Sequence, residues 1–410
     1  MRGFQKLTFT YEALQIWLDA LQIEVRVTAV PLNEAYNRVC AEDLVAKNDL
    51  PRFNRSAVDG FAVKSEDTTG TTQSKPLLFR LTEKEELADA GPREAKQIWT
   101  GNPIPKGADA VVMLENTKRT NNKIEIWSQT IPYENVSRKG EDLKKGEIAV
   151  KSGTRLRPQH IGLIAALGYS EISVAQKPRI AILATGNELA EVGIQLEENQ
   201  IHESNCVMLS ALCHELDAEP LDLGIAKDEI ADIQEKIQIG LKIADAVITT
   251  GGTSVGGLDL VPEVVNTIGK PGVVVHGLAI RPGMPTALAV LDGKPVIILS
   301  GNPVAAIVGF EVFGRAIICK MLGMKKEETR PTVEASMTRK VAAALGRKTF
   351  VRVKIIEKNG EFLAEPISTR GSGALSTMTR GNGFVIVPEN REGIAEREKV
   401  TVHLFANIEA

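Results

Sequence analysis

Three apolar runs constrain this chain most: 180–184 (Ile-Ala-Ile-Leu-Ala), 246–249 (Ala-Val-Ile-Thr) and 296–299 (Val-Ile-Ile-Leu). None alternates with polar residues, so each reads as a strand buried on both faces. Helical patterns over 204–216, 229–241 and 303–322 separate them. Buried strands alternating with helices predict an α/β unit with a mainly parallel sheet across 178–323. Each run breaks into a polar, glycine-bearing loop: Thr185-Gly186-Asn187-Glu188, Thr250-Gly251-Gly252-Thr253-Ser254 running on to Asp259, and Ser300-Gly301-Asn302-Pro303. In open parallel sheets ligands bind beyond the carboxyl ends of the strands. Glycines there admit close backbone approach, and a following helix N-terminus is expected to offer unpaired N–H groups to an anion.

At 410 residues the chain is too long for one ordinary core. Leu14, Trp17, Leu18 and Leu21 fall at helical spacing and predict a helix over 11–21, with Thr10 as its N-cap. From about 45 to 145 short β-like runs at 77–82, 110–114 and 123–127 alternate with turns, the texture of a small β-rich domain. Pro158 suits the first position of a helix running to Gly168. Beyond Pro331, runs at 350–356, 361–366, 384–387 and 399–404 read as a separate β domain.

Charge and cysteine usage narrow the function. Lys plus Arg number 49 against 52 Asp plus Glu, a balance that argues against a nucleic-acid binder. Cys40, Cys206, Cys213 and Cys319 form no CxxC pair, and the five histidines are dispersed, so no zinc spacing appears. The N-terminus does not read as a signal h-region, and no apolar run reaches the ~18 residues of a membrane span. The expectation is a protein of the reducing cytoplasm, with neither a membrane nor a nucleic acid as partner. There is no GxxxxGK[ST] and no GxGxxG opening a strand–helix turn, which disfavours a P-loop NTPase or a dinucleotide dehydrogenase.

Glu188, Asp228 and Asp259 lie at strand ends or helix starts of the α/β unit. Asp228 reads equally as the N-cap of the 229–241 helix. Carboxylates beside an anion-cradling loop repel the anion, unless a divalent cation such as Mg²⁺ bridges the two. The cationic counterpart is Arg281-Pro282-Gly283-Met284-Pro285, a stiff turn presenting a guanidinium suited to an oxyanion. Arg347 and Arg352, and the Thr369-Arg370-Gly371-Ser372-Gly373 stretch, add further candidates.

On these residues the chain resembles the molybdopterin molybdenumtransferase family, which includes MoeA and the gephyrin E domain. The stretch Pro51-Arg52-Phe53-Asn54-Arg55-Ser56-Ala57-Val58-Asp59-Gly60-Phe61-Ala62 is similar to the family's P-x-F-x-x-S-A-M-D-G-Y-A signature. Thr100-Gly101, Gly107-Ala108-Asp109, Gly140-Glu141-Asp142 and Thr185-Gly186-Asn187-Glu188-Leu189 resemble further blocks in the same order. So do Thr250-Gly251-Gly252-Thr253-Ser254-Val255-Gly256, Gly301-Asn302-Pro303-Val304 and Gly371-Ser372-Gly373. Two positions depart from the pattern: Met284 where the family often has a second Lys, and Ser300 where it has Pro.

The resemblance implies a multidomain, elongated protomer. Residues 1–44 would share a domain with 140–177, followed by a β-rich domain at 45–139, an α/β domain at 178–326 and a C-terminal β domain at 327–410. It implies a homodimer whose cleft takes Asp59 and Asp142 from one subunit and Glu188, Asp228 and Asp259 from the other. Thr100, Thr185, Gly186, Asn187, Thr250, Gly251, Gly252 and Ser254 would bind substrate, as would Arg281, Pro282, Ser300, Gly301, Asn302, Pro303, Arg347, Arg352 and Ser372. Glu188, Asp228 and Asp259 would hold Mg²⁺. The implied reaction places molybdenum from molybdate on adenylylated molybdopterin and releases AMP, with a molybdopterin adenylyltransferase as pathway neighbour. Tungstate is not separated from molybdate by sequence. The alternatives are an adenylyltransferase, whose loop typically reads T-G-G-T-G, and a gephyrin-like scaffold.

Overall fold

The computed structural model describes residues 7–87, 93–252, 260–325, 328–367 and 371–408. Two compact units emerge: one takes the chain up to Thr28, Asn37–Val39 and everything from Val174, the other Ala29–Tyr36 and Cys40–Ser173.

The second unit carries a six-stranded sheet in the order Ala110–Met113, Gly60–Val63, Glu94–Ile98, Leu77–Leu81, Lys123–Ile126, Thr117–Thr120. Phe61, Phe79, Val112, Ile124 and Ile126 close its core. The Lys123–Ile126 strand alternates buried and less buried side chains, as a sheet with one wet face requires. Helix Pro158–Ala166 begins on its proline, whose missing N–H costs nothing at that position.

In the other unit a six-stranded sheet runs Glu219–Ala226, Arg179–Thr185, Ala246–Thr250, Lys294–Leu299, Ala287–Leu291, Pro271–His276. The first four strands are parallel and the last two pairings antiparallel. The apolar runs lack alternation because both faces are covered. Ile180, Ile182, Ile248, Ile297 and Leu299 pack into the core on one side, and Ala181, Leu183, Val247, Val296 and Ile298 into the core on the other. A second six-stranded sheet, built from Ile280–Arg281 and strands between Thr332 and Leu404, carries its own core around Val351, Val353, Ile355 and Val402.

Several expectations need correction. Glu219–Ala226, Pro271–His276, Ala287–Leu291 and Thr332–Met337 are strands that the sequence pattern does not single out. Glu219–Ala226 lies at the sheet edge and carries Glu219, Pro220, Asp222 and Gly224, which mask its apolar signal. Thr10 does not cap the first helix: the helix is Thr10–Asp19, Phe9 precedes it, and the Thr10 hydroxyl accepts a hydrogen bond from Lys348 Nζ at 2.8 Å. The 303–322 segment is helical but not uniform. A π turn at Phe310–Gly314 separates Pro303–Gly309 from Arg315–Met321. There the Phe310 ring lies where a side chain on Gly314 would go.

An ion network centred on the largely buried Glu311 ties that helix to the start of the C-terminal sheet. Glu311 receives Arg330 through two bonds of 2.8 and 2.6 Å and Arg315 at 3.2 Å, while Glu215 meets both arginines at 3.2 Å. Burial raises the Glu311 carboxyl, but the two guanidinium partners outweigh it and hold it below the usual carboxylate range. We expect Glu311→Ala to cost about 1–3 kcal/mol, because Arg315 and Arg330 lose their buried carboxylate partner and keep only the exposed Glu215. The Glu311 contribution should be complete above the usual glutamate range and fade as pH falls through its lowered value. Urea unfolding of wild type and variant at neutral and acid pH checks both; an unchanged midpoint contradicts the assignment.

Candidate active site

The carboxyl ends of the four parallel strands lie side by side, with Thr185 opposite Ala226, Ala184 opposite Thr250 and Thr250 opposite Leu299. The loops beyond them line a cleft of about 720 Å³. It brings together Thr185, Gly186, Glu188, Asp228, Thr250, Gly251, Gly252, Ser300, Gly301, Asn302 and Pro303. Gly251 has φ +95°, and a Cβ there would run into the Thr185 carbonyl oxygen, so only glycine fits. Ser254 and Asp259 lie outside the described residues.

Two cleft residues escaped the sequence reading. Asn205 is buried, and its Nδ2 donates to Thr250 Oγ1 and to the Gly301 carbonyl, both at 2.8 Å. It thus joins two of the three loops. Glu203 is also buried; its carboxylate accepts from the Asn205 N–H at 2.6 Å and the Cys206 N–H at 2.9 Å. The only available signal was a Glu-Ser-Asn step just ahead of a helix, which reads as ordinary capping.

That carboxylate overturns one expectation. The first N–H groups of helix Asn205–Glu215 are already taken, Val304 N–H donates to the Ser372 carbonyl, and Gly251 N–H to Leu299. These backbone donors are not available to an anion. The N–H groups of Gly252 and Gly301 carry no hydrogen bond to another described residue. Cys206 is no nucleophile either, since burial, with Glu203 second, pushes its thiol far above the usual range.

Asp228 does not cap the following helix, which starts at Ile230 after Glu229. Instead Asn187 N–H donates to Asp228 Oδ2 at 3.2 Å, and Asp228 N–H to Asn187 Oδ1 at 3.1 Å. This reciprocal clip fixes Asp228 against the Thr185–Glu188 loop. Among the described residues no group of three or more His, Cys, Asp and Glu side chains is placed to hold a metal ion.

A second, smaller pocket of about 310 Å³ adjoins the first and shares Ser300 and Asn302 with it. Arg281, Pro282, Met284, Arg347, Arg352 and Ser372 line it. The pairing of Ile280–Arg281 with Lys348 and Thr349 brings the Arg281 turn to the Arg347 and Arg352 strand. Arg352 is 3% exposed; burial lowers its pKa, yet a guanidinium stays charged. One lobe is therefore acidic and amide-lined, the other cationic.

In the other unit, Asp59 Oδ1 accepts from the Thr100 N–H at 2.8 Å and the Thr100 hydroxyl at 2.7 Å. The backbone bond first, then the hydroxyl, holds the Asp59 carboxyl below its ordinary value. Asp142 is exposed on a turn fastened to the chain ahead of Asp59: its N–H and that of Leu143 both donate to Leu50 O.

A polar cleft beyond the carboxyl ends of parallel strands, flanked by an arginine pocket, has the form of a small-molecule site. The MoeA N-terminal region (domain I and II) matches residues 10–168, the probable molybdopterin binding domain 181–320, and the MoeA C-terminal region (domain IV) 334–405. A Methanocaldococcus jannaschii protein named for molybdopterin biosynthesis is 37% identical over 99% of this chain and 98% of its own. A Staphylococcus aureus molybdopterin molybdenumtransferase is 34% identical, covering 93% of this chain and 92% of its own. The crystal structure of a molybdopterin biosynthesis MoeA protein from Pyrococcus horikoshii OT3 superposes with a TM-score of 0.82 at 33% identity, covering 98% of this chain and all of that one. The chain belongs to the MoeA family, whose members act in molybdenum cofactor biosynthesis.

Removing the Thr100 hydroxyl tests the Asp59 geometry. In Thr100→Val the Asp59 carboxyl should titrate at higher pH than in wild type, still below an ordinary aspartate because the N–H bond remains. Carbon-13 carboxyl titration by NMR reads this directly, and an unmoved titration contradicts it.

Proposed function

We propose that this chain is a molybdopterin molybdenumtransferase that takes molybdate and adenylylated molybdopterin and yields the molybdenum cofactor and AMP. One observation carries the reading: the acidic glycine-lined cleft and the three-arginine pocket meet at Ser300 and Asn302. A ligand pair with two anionic parts, an oxyanion and a phosphoanhydride, matches that division. The arginine pocket suits the compact oxyanion, since guanidinium forks match tetrahedral oxyanions. The open N–H groups of Gly252 and Gly301 suit phosphate oxygens in the larger lobe.

The two dithiolene sulfurs bond to molybdenum as one oxo group of molybdate leaves as water with the two thiol protons, molybdenum staying hexavalent, and a second water cleaves the anhydride so that AMP leaves and the phosphate stays on the pterin. Glu188 and Asp228 supply hard oxygen donors on one wall, the donor type that Mg²⁺ takes beside phosphates, with Asp259 as the proposed third. Bound there, Mg²⁺ would neutralise phosphate charge that these carboxylates otherwise repel. Asp59, kept ionised by Thr100, is suited to orient water or a substrate N–H. Asp59 and Asp142 would act from the second subunit of a homodimer, with the four stretches 1–44 plus 140–177, 45–139, 178–326 and 327–410 as its working domains. The cytoplasm is the proposed setting, with a molybdopterin adenylyltransferase supplying the substrate. Among the described residues no helix is long and apolar enough to cross a membrane.

Incubation with adenylylated molybdopterin, molybdate and Mg²⁺ should yield AMP together with molybdenum cofactor, whereas ATP plus molybdopterin should yield no pyrophosphate. Asp59→Ala and Asp259→Ala should each lower turnover by about 10²-fold or more, the scale of a positioned acid–base group. Folded variants with full cofactor-forming activity, or pyrophosphate release from ATP, contradict the proposal.

A further inference from the structure

Trp99 stands out against the burial rules of this fold. It is 53% exposed, while Trp17 is wholly buried against the α/β core. An exposed indole on an unanchored loop would be unremarkable, but the backbone here is fixed on every side. Asn102 N–H donates to the Trp99 carbonyl at 3.0 Å, Gly101 N–H to Ser56 O at 2.8 Å, and Ser56 N–H to Asn102 O at 2.9 Å. Gly101 takes φ +87°, the positive value the third residue of such a turn needs. Thr100, in the middle, is stapled to Asp59 through two further bonds.

Gly60 pairs with Ile98 in the last rung of two antiparallel strands, and Asp59 and Trp99 each lie one residue beyond it, next to the Thr100 bonds that join the two segments. Asp59 spends only Oδ1 on Thr100; Oδ2 has no hydrogen bond to a described residue. A half-bare indole on a fixed turn, one residue from the Thr100–Asp59 bonds, brings a π face and a hydrogen-bond acceptor to the same corner. A flat fused heteroaromatic ring with N–H donors at its edge answers both.

We propose that Trp99 is the platform on which the heteroaromatic ring of the substrate stacks, its N–H edge turned toward the free oxygen of Asp59. The inference rests on the proposed reaction for placing such a ring at Asp59. Both the pterin and the adenine of the substrate have this chemistry, and the probes below distinguish them. Trp99 is a binding residue in this account: it orients the ring and moves no proton.

Tryptophan fluorescence of the full-length protein, titrated with AMP, neopterin and ribose 5-phosphate, tests this. Whichever ring stacks should quench the emission, and ribose 5-phosphate, which has no ring, should not. In Trp99→Phe the quench should vanish while calorimetric affinity for that ring compound stays close to wild type, because phenylalanine still stacks. In Trp99→Ala the affinity should fall roughly 5- to 150-fold, the range one base–aromatic stack supplies. A quench unchanged in Trp99→Phe, equal quenching by ribose 5-phosphate, or undiminished ring affinity in Trp99→Ala overturns the proposal. A Trp99-dependent quench in a protein that releases no AMP would keep the platform and remove the reaction.

Discussion

Everything at the cleft depends on how closely three strand-end loops approach one another. Gly251 sits against the Thr185 carbonyl in a space that admits no side chain. Asn205 reaches across from a helix to join Thr250 and Gly301. Without that approach the parallel strands would still form, but their ends would not share one wall. The fold supplies the edge; glycine and one asparagine bring the loops together into a site.

Charge is then divided between two lobes. Glu188 and Asp228 face the larger lobe, and Arg281, Arg347 and Arg352 the smaller, with Ser300 and Asn302 common to both. The acids cannot grip an anion unaided, and several backbone donors expected to do so are already engaged within the fold. In the proposed reaction, oxyanion binding would therefore fall mainly on guanidinium groups. Met284 lines the same pocket where the family often has a further lysine, so this pocket relies on Arg281 and Arg352 from two strands and on Arg347 just ahead of the second.

Much of this was legible in the sequence. Unbroken apolar runs at 180–184, 246–249 and 296–299 foretold strands covered on both faces, and the polar breaks after them foretold the cleft. Edge strands were harder: Glu219–Ala226 is only partly covered and carries charged residues, so its pattern resembles a loop. Asn205 and Glu203 were invisible as site residues because their importance lies in partners 45 or more positions away or in neighbours they cap. Of the two sequence readings of Asp228, the helix cap does not hold, although an acid before a helix usually is one. Here the competing Asn187 clip takes it instead.

The central claim is that two anionic groups are held at once in neighbouring lobes. A crystal soaked with molybdate and AMP tests it most directly. The account predicts a molybdate among Arg281, Arg347 and Arg352, and an AMP phosphate at Gly252 and Gly301, both present in the same protomer. The two ligands competing for a single position, or both lying away from Ser300 and Asn302, would contradict it.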